Sequence, residues 1–134
     1  KPEDSWKIHE ELLAVAESLL QKLKLPYHVV NVCTGDIGSI AAKKYDIEAW
    51  FPRQDAYREV VSCSNCTEYQ AVGLNTRFIN KKGEKEFVHT LNSTALAMSR
   101  ILAAIAENYQ NKDGTITVPT VLIKYLGKKT IEGS

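Results

Sequence analysis

The sequence predicts an α+β fold, an antiparallel β-sheet flanked by helices. Three observations carry this. Apolar residues recur at helical spacing near the N-terminus and alternate with a period of two through the middle. The helical period then returns in an alanine- and leucine-rich stretch around residue 100. The length of 134 residues, with 44% hydrophobic and 25% charged content, suits one globular domain over residues 1–134.

The first helix is expected from Asp4 or Ser5 to Leu23. Both starting residues are good N-caps, and Glu10 and Glu11 favour the N-terminal half. Ile8, Leu12, Leu13, Val15, Ala16, Leu19 and Leu20 give one wide apolar stripe, and Pro26 follows the end. "YHVVNVCT" is rich in β-branched residues and reads as a strand. "GDIGSIAAKKY" carries two glycines around an expected short helix. In "DIEAWFP", Ile47, Ala49 and Phe51 alternate with Glu48 and Trp50, so two faces are defined. "AYREVVSCSNC", "LNTRFIN" and "EKEFVHTL" continue as strands, with "KKGE" as the hairpin loop between the last two. "STALAMSRILAAIAENYQ" has no internal glycine or proline and is a helix capped by Ser93 or Thr94, which "NKDGT" ends.

The formal net charge of +1 gives no broad field for gripping nucleic acid, DNA included, nor a reason to seek anionic membranes. No apolar run approaches the roughly 18 residues of a membrane span. Three cysteines argue against a secreted disulfide framework and point to the cytoplasm. The chain opens on Lys1 and has Met98 as its only methionine, so a processed or excised chain is expected. Cys63 and Cys66 form a C-x-x-C, the spacing of half a zinc site or of a redox pair. There is no second such pair, and Cys33, His9, His28 and His89 are scattered. The expected role of these sulfurs is packing as small hydrophobes, with no zinc.

The flanks of the cysteines are more specific. "YREVVSCSNCTEYQA" and "HTLNSTALAMSRILAAIAENYQ" resemble the C-terminal half of a seryl-tRNA synthetase, a class II aminoacyl-tRNA synthetase. "LPYHVVNVCTGDIG" and "KYDIEAWFP" resemble the segments before them, and "DGTITVPTVLIKYL" the family's C-terminal end. The resemblance covers essentially the whole chain, in order. It implies ATP-dependent activation of L-serine to seryl-adenylate, transfer to tRNA-Ser, and a homodimer in the full-length family. It also implies the class II catalytic domain, an antiparallel sheet flanked by helices, which agrees with the α+β reading of the periodicities.

Residue by residue, the resemblance puts Glu59 on the acidic residue that handles Mg2+ with ATP, and Ser62 on its partner hydroxyl. Period two puts positions 59 and 62 on opposite faces, so a bulge or twist is required between them. Asn92 and Thr94 fall where the family reads serine. Arg100 falls on the arginine of the third class II motif, which clamps the terminal phosphate of ATP. The positions read Asn92-Ser93-Thr94 and Ser99-Arg100, where family members often have N-G-S and a glycine before the arginine. This version resembles the archaeal or eukaryote-like branch.

Singly, each residue has a purely structural account. Glu59 beside Arg58 suits an exposed strand, Asn92, Ser93 and Thr94 suit any helix start, and Arg100 suits a snorkelling surface position. The ordered set raises them above that. The family's coiled-coil arm, first and second motifs, and glutamate for the serine amino group have no counterpart here. A catalytic fragment that does not charge tRNA alone is therefore expected. The alternative is a stand-alone truncated homologue acting as a nucleotide-binding or protein-docking module; a large exposed apolar patch on the sheet would be a sign of either a fragment or such a module.

Overall fold

The structure, a computed structural model, describes residues 1–132. In chain order the elements are α1 (Ser5–Leu23), β1 (Tyr27–Asn31), β2 (Lys43–Phe51), β3 (Ala56–Asn65), α2 (Tyr69–Leu74), β4 (Arg77–Ile79) and β5 (Lys85–Phe87). There follow β6 (Leu91–Ser93), α3 (Met98–Tyr109), β7 (Ile116–Thr117), α4 (Thr120–Leu126) and β8 (Thr130–Ile131). The main sheet is antiparallel with strand order β1-β2-β3-β6, while β4 pairs with β5 and β7 with β8 in two-stranded ribbons. No helix among the described residues is long and apolar enough to cross a membrane.

The alternation read in "DIEAWFP" is what builds the core. Ile47, Ala49 and Phe51 are buried with Val60 and Val61. They join Leu13, Ala16, Leu20 and Leu23 of α1 and Ile101 and Ala104 of α3 in one apolar cluster. Both long helices thus cover one face of the sheet. Leu20 is fully buried in this cluster. Leu20→Ala is expected to cost about 2–5 kcal/mol through lost transfer and the cavity left behind, read as a lower urea midpoint at unchanged slope.

Several expectations need correction. The strand read in "LNTRFIN" is β4 over Arg77–Ile79 only, with Leu74 ending α2, and "EKEFVHTL" is divided between β5 and β6, which pair in different sheets. Residues 35–45 form turns and the start of β2, with no helix. The N–H groups of Asp36 and Ile37 both donate to the Cys33 carbonyl, and Gly38 takes φ +77°, which closes the turn. Lys43, Lys44 and Tyr45 are drawn into β2 by pairing with Asn65, Ser64 and Cys63. The second long helix starts at Met98, with Ala97 as its cap residue, and neither Ser93 nor Thr94 caps it. Strand pairing wins there too: Leu91, Asn92 and Ser93 bind Asn65, Ser64 and Cys63, and the Val60 carbonyl accepts the Ala97 N–H at 2.7 Å. The strand read in "YHVVNVCT" stops at Asn31. The first helix and the "KKGE" hairpin form where expected.

Candidate active site

The sheet face opposite the long helices can be mapped by register, since directly opposed residues of an antiparallel pair share a face. On β2 the even positions Lys44, Asp46, Glu48 and Trp50 point away from the helices. Opposite them on β3 stand Ser64, Ser62, Glu59 and Tyr57. The register shifts between Ile47 and Glu48, because Val60 is an extra residue in β3. This one-residue bulge reverses the alternation and puts Glu59 on the same face as Ser62.

Glu59 and Arg100 meet there. The Arg100 Nη1 donates to the Glu59 carbonyl oxygen at 2.9 Å and lies 3.5 Å from its carboxylate Oε1. Arg100 reaches it from the first turn of α3, which the Ala97–Val60 bond pins to the bulge. The two side chains line a cleft of about 560 Å³ with Glu48, Tyr57, Arg58 and Ser99. Chemically, a guanidinium beside carboxylates can receive an oxyanion in its fork and offers hard oxygens of the kind that divalent cations take.

Asn92 and Thr94 are held by a different part of β3. Asn92 is opposite Ser64, and its Nδ2 donates to the Cys66 Sγ at 3.7 Å. The Thr94 N–H donates to the Ser62 carbonyl at 3.0 Å, which sets Thr94 beside the Ser62 position. Asn92 lines a second hollow of about 420 Å³ with Ser64, Cys66, Gln70 and the 37–41 turn. Thus Glu59 and Arg100 share one cleft and Asn92 faces another, with the Ser62–Thr94 contact between them. Neither Asn92 nor Thr94 is at the helix start, so the free N–H groups of α3 are not theirs to share. The turn between passes through Ala95 at φ +58°, a left-handed conformation that L residues adopt at a cost of about 1 kcal/mol.

Cys63 and Cys66 are buried and point to unlike surroundings. Cys63 is opposite Tyr45 on the helix-covered side, and its thiol faces the His9 carbonyl at 3.9 Å. Cys66 lies beyond the strand against Asn92. Burial pushes both thiols above the ordinary cysteine range, against hydrogen bonds that pull the other way. Both therefore stay protonated and poorly nucleophilic at neutral pH. An alkylating reagent at pH 7 is expected to modify the exposed Cys33 in the native chain. Cys63 and Cys66 should react only after denaturant is added, which intact-mass spectrometry would read.

Glu48, Tyr57 and Arg58 of the cleft were not singled out by sequence. Glu48 was nevertheless within reach, since the alternation in "DIEAWFP" sets it on the face opposite the core. On that face the His28 Nε2 lies 2.6 Å from the Glu48 carboxylate, and the His28 ring stacks on Tyr57. That contact joins three strands, and only the register shows it.

Residues 1–109 match the model of the tRNA synthetase class II core domain (G, H, P, S and T). The chain is 64% identical over 131 residues to the serine–tRNA ligase of Methanoregula boonei, covering 96% of this chain and 31% of that protein. It is 59% identical over 132 residues to that of Pyrococcus abyssi, covering 98% and 29%. Among solved structures, it superposes on seryl-tRNA synthetase from Pyrococcus horikoshii complexed with ATP with a TM-score of 0.96 at 56% identity. That match covers 100% of this chain and 30% of the other. Cytoplasmic serine–tRNA ligase from Naegleria fowleri in complex with AMP gives a TM-score of 0.90 at 46% identity, covering 98% and 32%. The chain thus spans about 30% of the length of these relatives.

Proposed function

The chain belongs to the class II tRNA synthetase core-domain family, and from that premise we propose that it is a catalytic-domain segment of a cytoplasmic serine–tRNA ligase. It would contribute part of the site that activates L-serine with ATP and charges tRNA-Ser. The observation that carries this reading is the Val60 bulge, which turns Glu59 onto the face of Ser62 and within reach of Arg100. Without the bulge, the three residues that the family resemblance singles out for ATP would be divided between the two faces of the sheet.

In this reading Arg100 grips the terminal phosphate of ATP and holds the chain of phosphates for in-line attack by the serine carboxylate on the α-phosphorus. The carboxylate is already a nucleophile, so no general base is required. Asn92 and Thr94 hold serine, and Asn92's amide offers the polar contact that an alanine side chain would leave unpaired. The donor set at Glu59 and Ser62, on one face of the sheet, fits Mg2+ bound mainly through substrate phosphates. When bound, the ion would offset charge on the departing pyrophosphate. Glu59 and Ser62 are the residues that would hold it.

The test is serine-dependent ATP–pyrophosphate exchange, with alanine and threonine as controls. The 134-residue chain alone should be silent, and adding the remaining part of the synthetase should restore turnover with serine only. Exchange by the chain alone would refute the half-site, and silence after reconstitution would favour the docking-module reading. An apolar groove of about 350 Å³ between α3 and α4, lined by Leu102, Ile105, Leu122 and Tyr125, gives that module a surface. The sheet face opposite the helices, by contrast, is mostly polar, with Trp50 and Tyr57 at one end.

A further inference from the structure

We propose that the β4–β5 hairpin is a contact for the sugar–phosphate backbone of RNA. Cross-strand pairs are Arg77–Phe87, Phe78–Glu86 and Ile79–Lys85, and the Asn80 N–H donates to the Glu84 carbonyl. Arg77, Ile79, Lys85 and Phe87 therefore share one face of the ribbon, with Phe78, Asn80, Glu84 and Glu86 on the other. Among these paired positions the charges are sorted by sign between the two faces, and Lys81 and Lys82 lie in the turn.

Local hydrogen bonds keep them sorted. Asn80 Nδ2 donates to the carboxylates of Glu84 and Glu86, holding both acids on their own side. Asn80 Oδ1 accepts from the backbone N–H groups of Lys82 and Glu84 and shapes the tip, where Gly83 takes φ +83°. On the opposite face the Arg77 guanidinium lies over the Phe87 ring at 4.1 Å. Lys81, Lys82 and Lys85 are exposed, and every ion pair found among the described residues lies elsewhere. Residues 77–87 hold four basic and two acidic side chains, against 13 and 14 in the rest of the chain. The net positive charge of the molecule comes wholly from this ribbon.

Four basic side chains without ion-pair partners, clustered on one hydrogen-bonded hairpin, suit a polyanion, because each phosphate they neutralise releases a condensed counterion. A-form RNA is gripped mainly through phosphates and 2′-hydroxyls along a wide, shallow groove, which a narrow two-stranded ribbon can follow. A bilayer is the poorer match, since the basic face offers Ile79 alone as an exposed apolar group. Identifying the RNA as tRNA rests on the serine–tRNA ligase reading. The charge sorting does not.

The chain as it stands can be titrated with transfer RNA at several salt concentrations, with backbone amide shifts recorded by NMR. Shifts should cluster in residues 77–87, and log affinity should fall with log salt with a slope of about −3, as for three to four neutralised phosphates. The K81Q/K82Q/K85Q variant keeps the ribbon hydrogen bonds. It should lose about tenfold or more in affinity at 0.1 M salt and flatten the slope by about 2. Unchanged affinity in the variant, shifts mapping elsewhere, or binding to phosphatidylserine vesicles but not to RNA would each overturn the proposal. In the full-length enzyme the same variant should raise the KM for tRNA and leave serine-dependent pyrophosphate exchange intact. Absence of exchange in the unsubstituted full-length enzyme would sink the ligase reading alone, because the titration judges the hairpin independently.

Discussion

Replacing Arg100 by alanine in the full-length enzyme is expected to lower serine-dependent pyrophosphate exchange by about 10²–10³-fold, the effect of removing a positioned charge-stabilising group. The same substitution should shift stability by less than about 1 kcal/mol, because both partners of the Arg100–Glu59 pair are around half exposed and water screens them. That split separates the clamp from a snorkelling surface arginine, which would move neither measurement. Arg100→Lys should recover little. The guanidinium makes its 2.9 Å bond to the Glu59 carbonyl while leaving further N–H groups for phosphate, and an ammonium point charge cannot reproduce that fork. Exchange within a few-fold of the unsubstituted enzyme would leave Arg100 without its proposed role.

What the sequence revealed and what it hid divide along a physical line. Periodicity is local, so α1, the "DIEAWFP" faces and the charged hairpin loop were legible from residue types alone. Pairing is not local. The two-turn helix expected over residues 35–45 lost Lys43, Lys44 and Tyr45 to a strand partner some twenty residues away. Leu91, Asn92 and Ser93 became β6 for the same reason, which pushed the helix start to Met98 although Ser93 and Thr94 are better caps than Ala97. At the site, Glu59 and Ser62 could be matched to a family pattern, but plain alternation set them apart. The need for a bulge followed from that conflict, and its position at Val60 came only with the register. Likewise the grouping of Glu48, Tyr57 and His28 depends on three strands lying side by side.

The bulge also sets up the cleanest test of Glu59. Glu59→Gln removes the charge and keeps the size, and Arg100 stays anchored because its short bond is to the backbone carbonyl of residue 59. The variant should therefore fold as before and lose about 10²-fold in exchange rate, with the magnesium requirement moving to higher concentration. Glu48→Gln offers the internal comparison. Glu48 is directly across from Glu59 on the same face, yet its carboxylate is already engaged by His28. Its loss should perturb the cleft and leave the magnesium titration in place. If instead Glu59→Gln keeps both rate and magnesium dependence, the carboxylate is an ordinary exposed strand residue. The bulge would then serve only to seat the Ala97 N–H on the Val60 carbonyl and so start α3.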